Sequence, residues 1–320
     1  MKKWRMIPAV VAIVALLTAT GIASGQSNAP SRAQLTEFKL GVFPAADYTP
    51  LFVGLKRGIF KKHGLDIKIQ YIFTGSGLMA AVTSGQVDAG TNSVPAGVTA
   101  IANGLPIKLV VQTSITPKKG YINVLVKKDS SIKTYADLAG KTVATINLQG
   151  QFHLLLKNAI EKAGGGDFNA VPMSPADEPA ALESGRLDAI VMQDPTLTLA
   201  KQQYPSFRSL GNPTSKLGFP LPSAGFYSSN ATIEKKPAAI KQFVAALKEA
   251  IALSAKNEKL ARRVVPKFTG MTTATAKLVT LPIFDSRVSP GSIGPMLLLM
   301  KKYGWIENQP SFNSIVWQGK

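Results

Sequence analysis

The 320-residue sequence contains no cysteine and only two histidines. The absence of cysteine excludes a disulfide framework, a thiolate metal site and a cysteine nucleophile. It also leaves no cysteine for the attachment of a lipid anchor. Two isolated histidines do not supply the ligands of a typical zinc site. We therefore expect no metal and no other cofactor.

The motifs of the common catalytic classes are also missing. The sequence has no G-x-S-x-G nucleophile turn, no phosphate-binding P-loop and no H-E-x-x-H zinc motif. The segment TGSG at residues 74–77 is too short for a nucleotide-binding loop. These absences predict a protein that is not an enzyme.

Long apolar runs are lacking too, because the single strongly apolar stretch, near the start of the chain, is short. Lys2, Lys3 and Arg5 precede an apolar run from Ile7 to Leu17, and small residues follow in TATGIASGQ. This layout is typical of a secretory signal peptide. An uncleaved membrane anchor is the alternative, but the run falls short of the roughly 20 residues that a spanning helix needs. We predict a signal peptide over residues 1–25 and a periplasmic protein.

Acidic residues are few: the chain has 18 Asp and Glu and 37 Lys and Arg, which gives a formal net charge of +19. Nucleic-acid binding is one explanation for such an excess. However, the basic residues are scattered singly and in pairs, and no basic tract is interleaved with aromatics. The pattern favours a solvated basic surface, and a general attraction for anionic solutes is the second interpretation. We expect no nucleic-acid partner.

Short β-rich segments alternate with helical ones along the chain. KLGVF, LDIKIQYIF and VDAGT are predicted strands, and the helical patterns LFVGLKRGIF and GLMAAVTSG lie between them. The first helix is predicted to end near His63 and Gly64. Repeated strand–helix–strand order indicates an α/β fold with parallel-dominated sheets.

An internal repeat indicates two similarly built lobes. AAVTSGQVDAG, from Ala80 to Gly90, recurs one hundred residues later as AALESGRLDAI, with six of the first ten positions identical. Gly85 and Gly185 are predicted to end helices in the left-handed conformation. The Asp three residues after each Gly is expected to hydrogen-bond the tight turn that follows. A generic helix-to-strand turn used twice is the alternative interpretation.

The order of elements predicts an insertion of one lobe into the other. We assign residues 36–118 and 226–320 to lobe 1 and residues 119–225 to lobe 2, with hinge segments at Ile115–Asn123 and Ser223–Ser229. A long helix after Pro237 is expected to turn one apolar face to the core of lobe 1. The residues of that face are Ile240, Phe243, Val244, Leu247 and Ile251.

Five segments occur in a familiar order between Lys39 and Lys277. They are YTPLFVGLKRGIFKKHGLDIKI, SGQVDAG, VPAGVTAIANGLPIK, KKDSSIKTYADLAGKTVA and SGRLDAIVMQDP. This ordered set resembles the nitrate, sulfonate and taurine solute-binding proteins of ABC transporters. The resemblance implies a type II periplasmic-binding-protein fold with a hinge, a small solute held between two lobes, and a membrane permease as partner. We expect a monomer.

The same domain occurs in yeast-type thiamine-pyrimidine synthases, so an enzyme on this fold is the alternative function. As that family is known, those enzymes carry a Cys-rich segment and act in the cytosol. The absence of cysteine and the predicted signal peptide favour the solute-binding function.

Solutes of open α/β sheets bind in the loops after the carboxyl ends of the strands. These loops offer hydroxyls, amides, two carboxylates and helix N-termini, which accept anions. The predicted binding residues are Asp47, Tyr48, Thr74, Gly75, Ser76, Asn92, Ser93, Asn147, Gln149, Gln151, Gln193 and Asp194.

The identity of the solute stays open at this stage. The family often has Trp-Glu-Pro where this chain has Gln193, Asp194 and Pro195. Sulfonate, nitrate, bicarbonate, a pyrimidine and an aromatic acid are all candidates, because the donors are neutral and the two Asp residues also suit an amine.

The predicted signal peptide gives the first testable prediction. We expect cleavage before about Ser27, because the small residues that signal peptidase accepts lie just upstream. N-terminal sequencing of the exported protein measures the cleavage site. A mature chain that still begins at Met1 would contradict the prediction.

Overall fold

A computed structural model describes residues 34–319 of the chain. The signal peptide predicted over residues 1–25 lies outside the described residues. In the described part, every helix is too short or too polar to cross a lipid bilayer.

The described chain forms eleven strands and thirteen α-helices. The strands are β1 Thr36–Val42, β2 Leu65–Tyr71, β3 Ala89–Ser93, β4 Ile107–Ile115, β5 Ile122–Lys127, β6 Thr142–Thr145, β7 Asn169–Pro172, β8 Ala189–Gln193, β9 Phe207–Gly211, β10 Pro222–Ser229 and β11 Ile283–Phe284. The helices are α1 Thr49–Lys56, α2 Ile59–Lys62, α3 Gly75–Thr83, α4 Val94–Ala102, α5 Gln151–Lys162, α6 Glu178–Glu183, α7 Thr196–Gln203, α8 Asn230–Lys235, α9 Pro237–Lys256, α10 Glu258–Thr269, α11 Thr273–Leu278, α12 Pro290–Lys302 and α13 Phe312–Ile315.

The strands form two sheets, which define two lobes. The first sheet has the order β11-β4-β10-β3-β1-β2, and the second has the order β7-β6-β8-β5-β9. In each sheet one strand pairs in parallel with the two strands that follow it in the chain: β1 with β2 and β3, and β6 with β7 and β8. This arrangement confirms the predicted two-lobed α/β fold.

Each sheet also has antiparallel pairs, and these involve the strands that carry the chain between the lobes. The chain leaves the first sheet through β4 and enters the second through β5; it returns from β9 to β10. The outgoing and returning strands pair antiparallel in both sheets, β4 with β10 and β5 with β9. The crossings therefore lie at residues 116–121 and 212–221, and Pro222–Ser229 is a strand of the first sheet. The predicted lobe boundaries remain a prediction.

The first predicted helix is divided in two. Gly58 has a φ of 68° and interrupts the helical stretch between α1 and α2. The left-handed conformation suits glycine because it has no Cβ. The second part ends at Lys62, next to the predicted stop at His63 and Gly64.

The two copies of the internal repeat have the same local structure. Gly85 and Gly185 follow α3 and α6, and both have a φ of 75°. The prediction that each Gly adopts the left-handed conformation at a helix end is confirmed.

The acidic residues of the repeat act differently from the expectation. Asp88 accepts a hydrogen bond from the backbone N–H of Lys39, and Asp188 accepts one from that of Thr142, both at 2.8 Å. The expectation that they bond their own turn was wrong, because β3 and β8 each lie beside an earlier parallel strand whose free N–H is within reach. Each Asp therefore fixes the start of one strand against its neighbour.

The long helix α9 packs on the first sheet as its pattern predicted. The residues of its predicted apolar face are all buried. The ring of Phe243 stacks on Phe38 of β1, with centroids 4.8 Å apart. Burial of a side chain of this size contributes about 1.5–3 kcal/mol, so the face accounts for the docking of α9.

The second lobe contains one buried acid that has no partner. Glu178, at the start of α6, is fully buried, and neither carboxylate oxygen has a hydrogen-bond partner among the described residues. Two residues before the internal repeat, it occupies the position that corresponds to Leu78. Burial raises the pKa of the Glu178 carboxyl well above its usual range.

Replacement of Gly85 or Gly185 by Val should lower the free energy of unfolding by about 1 kcal/mol or more, because a β-branched residue is strained at positive φ. A Cβ would meet no atom within 4 Å at either position, so the loss would report backbone strain alone. Gly218→Val is the control, because that site is equally open without a positive φ. Equal urea midpoints for all three variants would contradict the prediction.

Glu178→Leu should stabilise the protein at pH 7 by about 1–3 kcal/mol, the cost of an unsatisfied buried polar group. The raised pKa means that the unfolded chain loses this proton at a lower pH than the folded chain. The free energy of unfolding of the natural protein should therefore fall, relative to the variant, as pH rises above about 4.3. Urea unfolding between pH 4 and 7 measures the difference. Glu183→Leu, an exposed change on the same helix, should not reproduce it.

Candidate functional site

A small cavity lies between the two sheets. Its volume is about 60 Å³. Both lobes contribute to its wall. The lining residues are Phe43, Ala45, Asp47, Tyr48, Gly75, Leu78, Thr91, Asn92, Ser93, Ile146, Asn147, Gln151, Phe152, Gln193 and Ala224.

The structure brings eight of the twelve predicted binding residues to this cavity. They are Asp47, Tyr48, Gly75, Asn92, Ser93, Asn147, Gln151 and Gln193. Thr74, Ser76, Gln149 and Asp194 are absent from the lining. Most lining residues lie at or after the carboxyl ends of β1, β2, β3, β6 and β8, so five strand ends converge on one space.

Two helix N-termini from different lobes meet at the cavity. Helix α3 begins at Gly75, and α5 begins at Gln151 shortly after Asn147. A Cβ added at Gly75 would lie 3.0 Å from Nδ2 of Asn147 and 3.6 Å from Nδ2 of Asn92. The backbone at Gly75 thus lies close to both amides, and a side chain there would crowd that of Asn147.

The amides of Asn92 and Asn147 are free donors in the cavity. The Oδ1 atom of Asn92 accepts the N–H of Ser93 at 2.9 Å. Neither Nδ2 atom donates a hydrogen bond to another residue within the described range. Both groups can therefore donate to an oxygen atom placed beside Gly75.

Asp47 lies at the floor of the cavity and is 2% exposed. Its carboxylate accepts hydrogen bonds from four side chains. The donors are Ser114 at 2.5 Å, Ser223 at 2.9 Å, Gln193 at 3.4 Å and the hydroxyl of Tyr121. Burial raises the pKa of Asp47, and the bonds from Ser114, Tyr121 and Ser223 offset part of that rise. These donors come from both lobes, so the carboxylate links them.

A second link runs from the start of α5 to the first sheet. Nε2 of Gln151 donates to Oγ1 of Thr116 at 2.7 Å and to Oγ of Ser223 at 3.1 Å. Because Ser223 also donates to Asp47, the three side chains form one continuous network. Gln151 is therefore held by the protein while it lines the cavity.

The predicted residues outside the lining have other contacts. Thr74 caps α3 by accepting the N–H of Gly77 at 3.2 Å, and Ser76 is exposed. Asp194 accepts from the N–H and hydroxyl of Thr198, at 3.0 and 2.6 Å, and from the N–H of Thr280 at 2.6 Å. It thus caps α7 and ties the second lobe to the segment before β11. Burial raises the pKa of Asp194, and these hydrogen bonds offset part of that rise.

Gln149 connects the two lobes through its backbone. Its carbonyl accepts the hydroxyl of Thr99 at 3.3 Å, and its N–H donates to Nδ1 of His153 at 3.2 Å. Burial lowers the pKa of His153 to about 4, so the ring is neutral at neutral pH and Nδ1 accepts. His153 packs on Phe168 and Trp305, away from the cavity lining.

The sequence did not predict the apolar part of the cavity wall or one polar residue, Thr91. The apolar residues are Phe43, Ala45, Leu78, Ile146, Phe152 and Ala224. Phe43 and Ile146 directly follow β1 and β6, so their strand-end positions offered a signal. Ala224 offered none, because β10 pairs antiparallel and belongs to the returning chain.

The cavity has no cationic side chain in its described lining, and its one ionisable acid is engaged by the protein. In the described range, no group of three or more His, Cys, Asp or Glu is placed to hold a metal ion. The site therefore offers neutral donors, two helix N-termini and an apolar wall.

Tyr121→Phe should lower the free energy of unfolding by about 1.5–3 kcal/mol, the range for a hydrogen bond to a charged group. The buried Asp47 carboxylate would lose a donor that water cannot replace. Tyr204→Phe is the matched control, because in the described structure its hydroxyl has no hydrogen-bond partner. Urea unfolding measures both variants, and equal losses would refute the importance of the Asp47 link.

Comparison with known proteins places the chain in a family. The family described as NMT1/THI5 like matches residues 45–261, more than half of the chain. A protein of Escherichia coli strain K12, named an aliphatic sulfonates-binding protein, is 31% identical over 176 residues. That match covers 50% of this chain and 54% of the relative, so the chain spans about half the length of that relative.

Solved structures share the fold. The periplasmic aliphatic sulphonate binding protein SsuA of Escherichia coli is 22% identical, with a TM-score of 0.70 over 88% of this chain and 92% of its own. The ligand binding component of an ABC-type import system from Staphylococcus aureus, solved with zinc bound, is 14% identical, with a TM-score of 0.75 over 88% and 96% of the two chains. These identities establish likeness of fold alone. The match to residues 45–261 and the shared fold together show that the chain belongs to the NMT1/THI5-like family.

Proposed function

We propose that this protein is the solute-binding component of an ABC importer and captures a small anionic or polar solute between its lobes. One observation carries the proposal: the cavity takes its wall from both lobes and presents the free amides of Asn92 and Asn147 beside Gly75. A solute that accepts from both amides bridges the lobes. The family membership and the names of the relatives support the same function.

The chemistry of the lining favours a compact anion. Helix N-termini stabilise negative charge by about 0.3–1 kcal/mol at exposed sites, and by more when buried. Two of them open here, at Gly75 and Gln151, next to neutral amide donors. The apolar wall suits a short alkyl group. A small aliphatic sulfonate satisfies both surfaces, and nitrate satisfies the polar one.

Capture requires the lobes to separate and close. The segments 116–121 and 212–221 connect the sheets and are the proposed hinge. In the described structure Gln193 reaches Asp47 and Gln151 reaches Ser223, so contact between the lobes makes protein–protein hydrogen bonds in addition to those with the solute. Closure would also exclude water from the solute.

We also propose that the protein binds its solute without catalysing a reaction. The one carboxylate of the cavity, Asp47, accepts hydrogen bonds from four protein side chains, so it is not placed to transfer a proton to a solute. We further propose a periplasmic location, a monomer, a permease partner and no nucleic-acid partner. Cell fractionation, sedimentation and a gel shift at physiological salt test these points. Recovery of a bound solute in altered form would instead favour the synthase-like enzyme.

Asn147→Ala and Asn92→Ala should each weaken the binding of methanesulfonate, taurine or nitrate about two- to tenfold, because each removes a hydrogen bond of about 0.5–1.5 kcal/mol. Titration calorimetry measures the dissociation constants. Ser76→Ala is the matched control. Ser76 was a predicted binding residue, but it is exposed and outside the lining, so we expect no change.

The thermal midpoint of each variant establishes that it is folded. If none of the three anions binds the natural protein, the proposed solute class fails. If Ser76→Ala weakens binding while both Asn variants do not, the cavity is not the solute site.

A further inference from the structure

The positive charge of the chain is concentrated in two segments. Residues 49–62 and 237–269 carry eleven Lys and Arg and two Glu. By contrast, residues 116–221, which form the second sheet and its helices, carry twelve Lys and Arg and nine Asp and Glu. The excess is therefore a local feature of the first lobe.

These two segments fold into one surface. They form α1, α2, α9 and α10, and α1 and α2 pack on α9 while α10 packs on α1. The core beneath this layer includes Phe38, Phe60 and Phe243, all from the first lobe. We call the exposed side of the four helices the basic face. Its exposed cations are Lys56, Arg57, Lys61, Lys62, Lys241, Lys248, Lys256, Lys259, Arg263 and Lys267.

Few of these charges are neutralised within the protein. Among the described ion pairs, Lys62 pairs with Glu249, and the half-buried Arg262 pairs with Glu258. The other nine exposed cations of the basic face have no acidic partner in the described structure. Helix α9 alone has 20 residues, about 30 Å of length, so the charges cover a broad surface.

An apolar groove opens beside the same helix. It has a volume of about 450 Å³ and lies between α9, β4 and the C-terminal segment. Its wall includes Val244, Phe312 and Trp317. Among the described residues that line it, the charged ones are Lys241 and Lys248. Lysine and tryptophan side chains are typical of protein surfaces at the boundary between lipid headgroups and acyl chains. The groove and its two lysines have this composition.

We propose that the basic face binds the surface of an anionic phospholipid membrane. Clusters of four to eight Lys and Arg are attracted to anionic lipids, and the basic face exceeds that number. None of the ten cations lines the solute cavity, so the face and the cavity act independently.

Vesicle co-sedimentation tests the proposal with the mature protein. The vesicles contain phosphatidylcholine with an equal amount of phosphatidylglycerol, or phosphatidylcholine alone. The face variant carries Lys61→Gln, Lys241→Gln, Lys248→Gln and Lys256→Gln. The control variant carries Lys118→Gln, Lys128→Gln, Lys162→Gln and Lys216→Gln, which are exposed lysines of the second lobe and its connections. Both variants lose the same net charge.

We expect the natural protein and the control variant to bind the anionic vesicles, and the face variant to bind them about tenfold or more weakly. Binding should decrease between about 0.1 M and about 1 M salt, where the Debye length falls from about 10 Å to about 3 Å. The proposal is overturned if the natural protein does not bind anionic vesicles, which is the result expected if the basic face binds an acidic protein instead. It is also overturned if both variants lose binding equally, because net charge alone would then explain it. Thermal midpoints verify that both variants are folded.

Discussion

The hydrogen bonds to the buried carboxylate of Asp47 set the geometry of the cavity. Asp47 lies on a 3-10 turn after β1, yet its donors include Tyr121 at the entry to the second sheet and Gln193 at the end of β8. A carboxylate out of contact with water must be surrounded by donors, because an unsatisfied buried charge is costly. The elements that supply these donors are therefore held around one point. The distance between the two lobes at the floor of the cavity follows from this constraint.

The acid and the two glutamines of the cavity are bonded to the protein itself, which leaves the two asparagines as amide donors for a solute. Gln151 bonds Thr116 and Ser223, and Asp47 is saturated by its donors. Asn92 and Asn147 keep their Nδ2 groups available beside Gly75. Neutral amides and helix N-termini can hold an anion without the desolvation cost of a buried cation.

The sequence predicted the fold well because the decisive signals are local. Alternation of apolar residues gave the strands, and the stripe that includes Ile240 and Phe243 gave the buried face of α9. Gly85 and Gly185 end their helices as expected, since a left-handed residue is specified by its own lack of a Cβ. The partners of Asp88 and Asp188 were mispredicted, because those partners belong to strands about fifty residues earlier in the chain.

The sequence by itself determined the order of strands and helices, the two-lobed repeat and the loops from which a binding site is drawn. Those features depend on periodicity and on conformations that single residues prefer. The tertiary structure decided which loop residues share the cavity. Asp47 and its donors Tyr121 and Gln193 are separated by 74 and 146 residues, and their contact arises only when both lobes pack. The tertiary structure likewise gathered scattered lysines onto one face, because helices far apart in the chain cover the same side of a sheet.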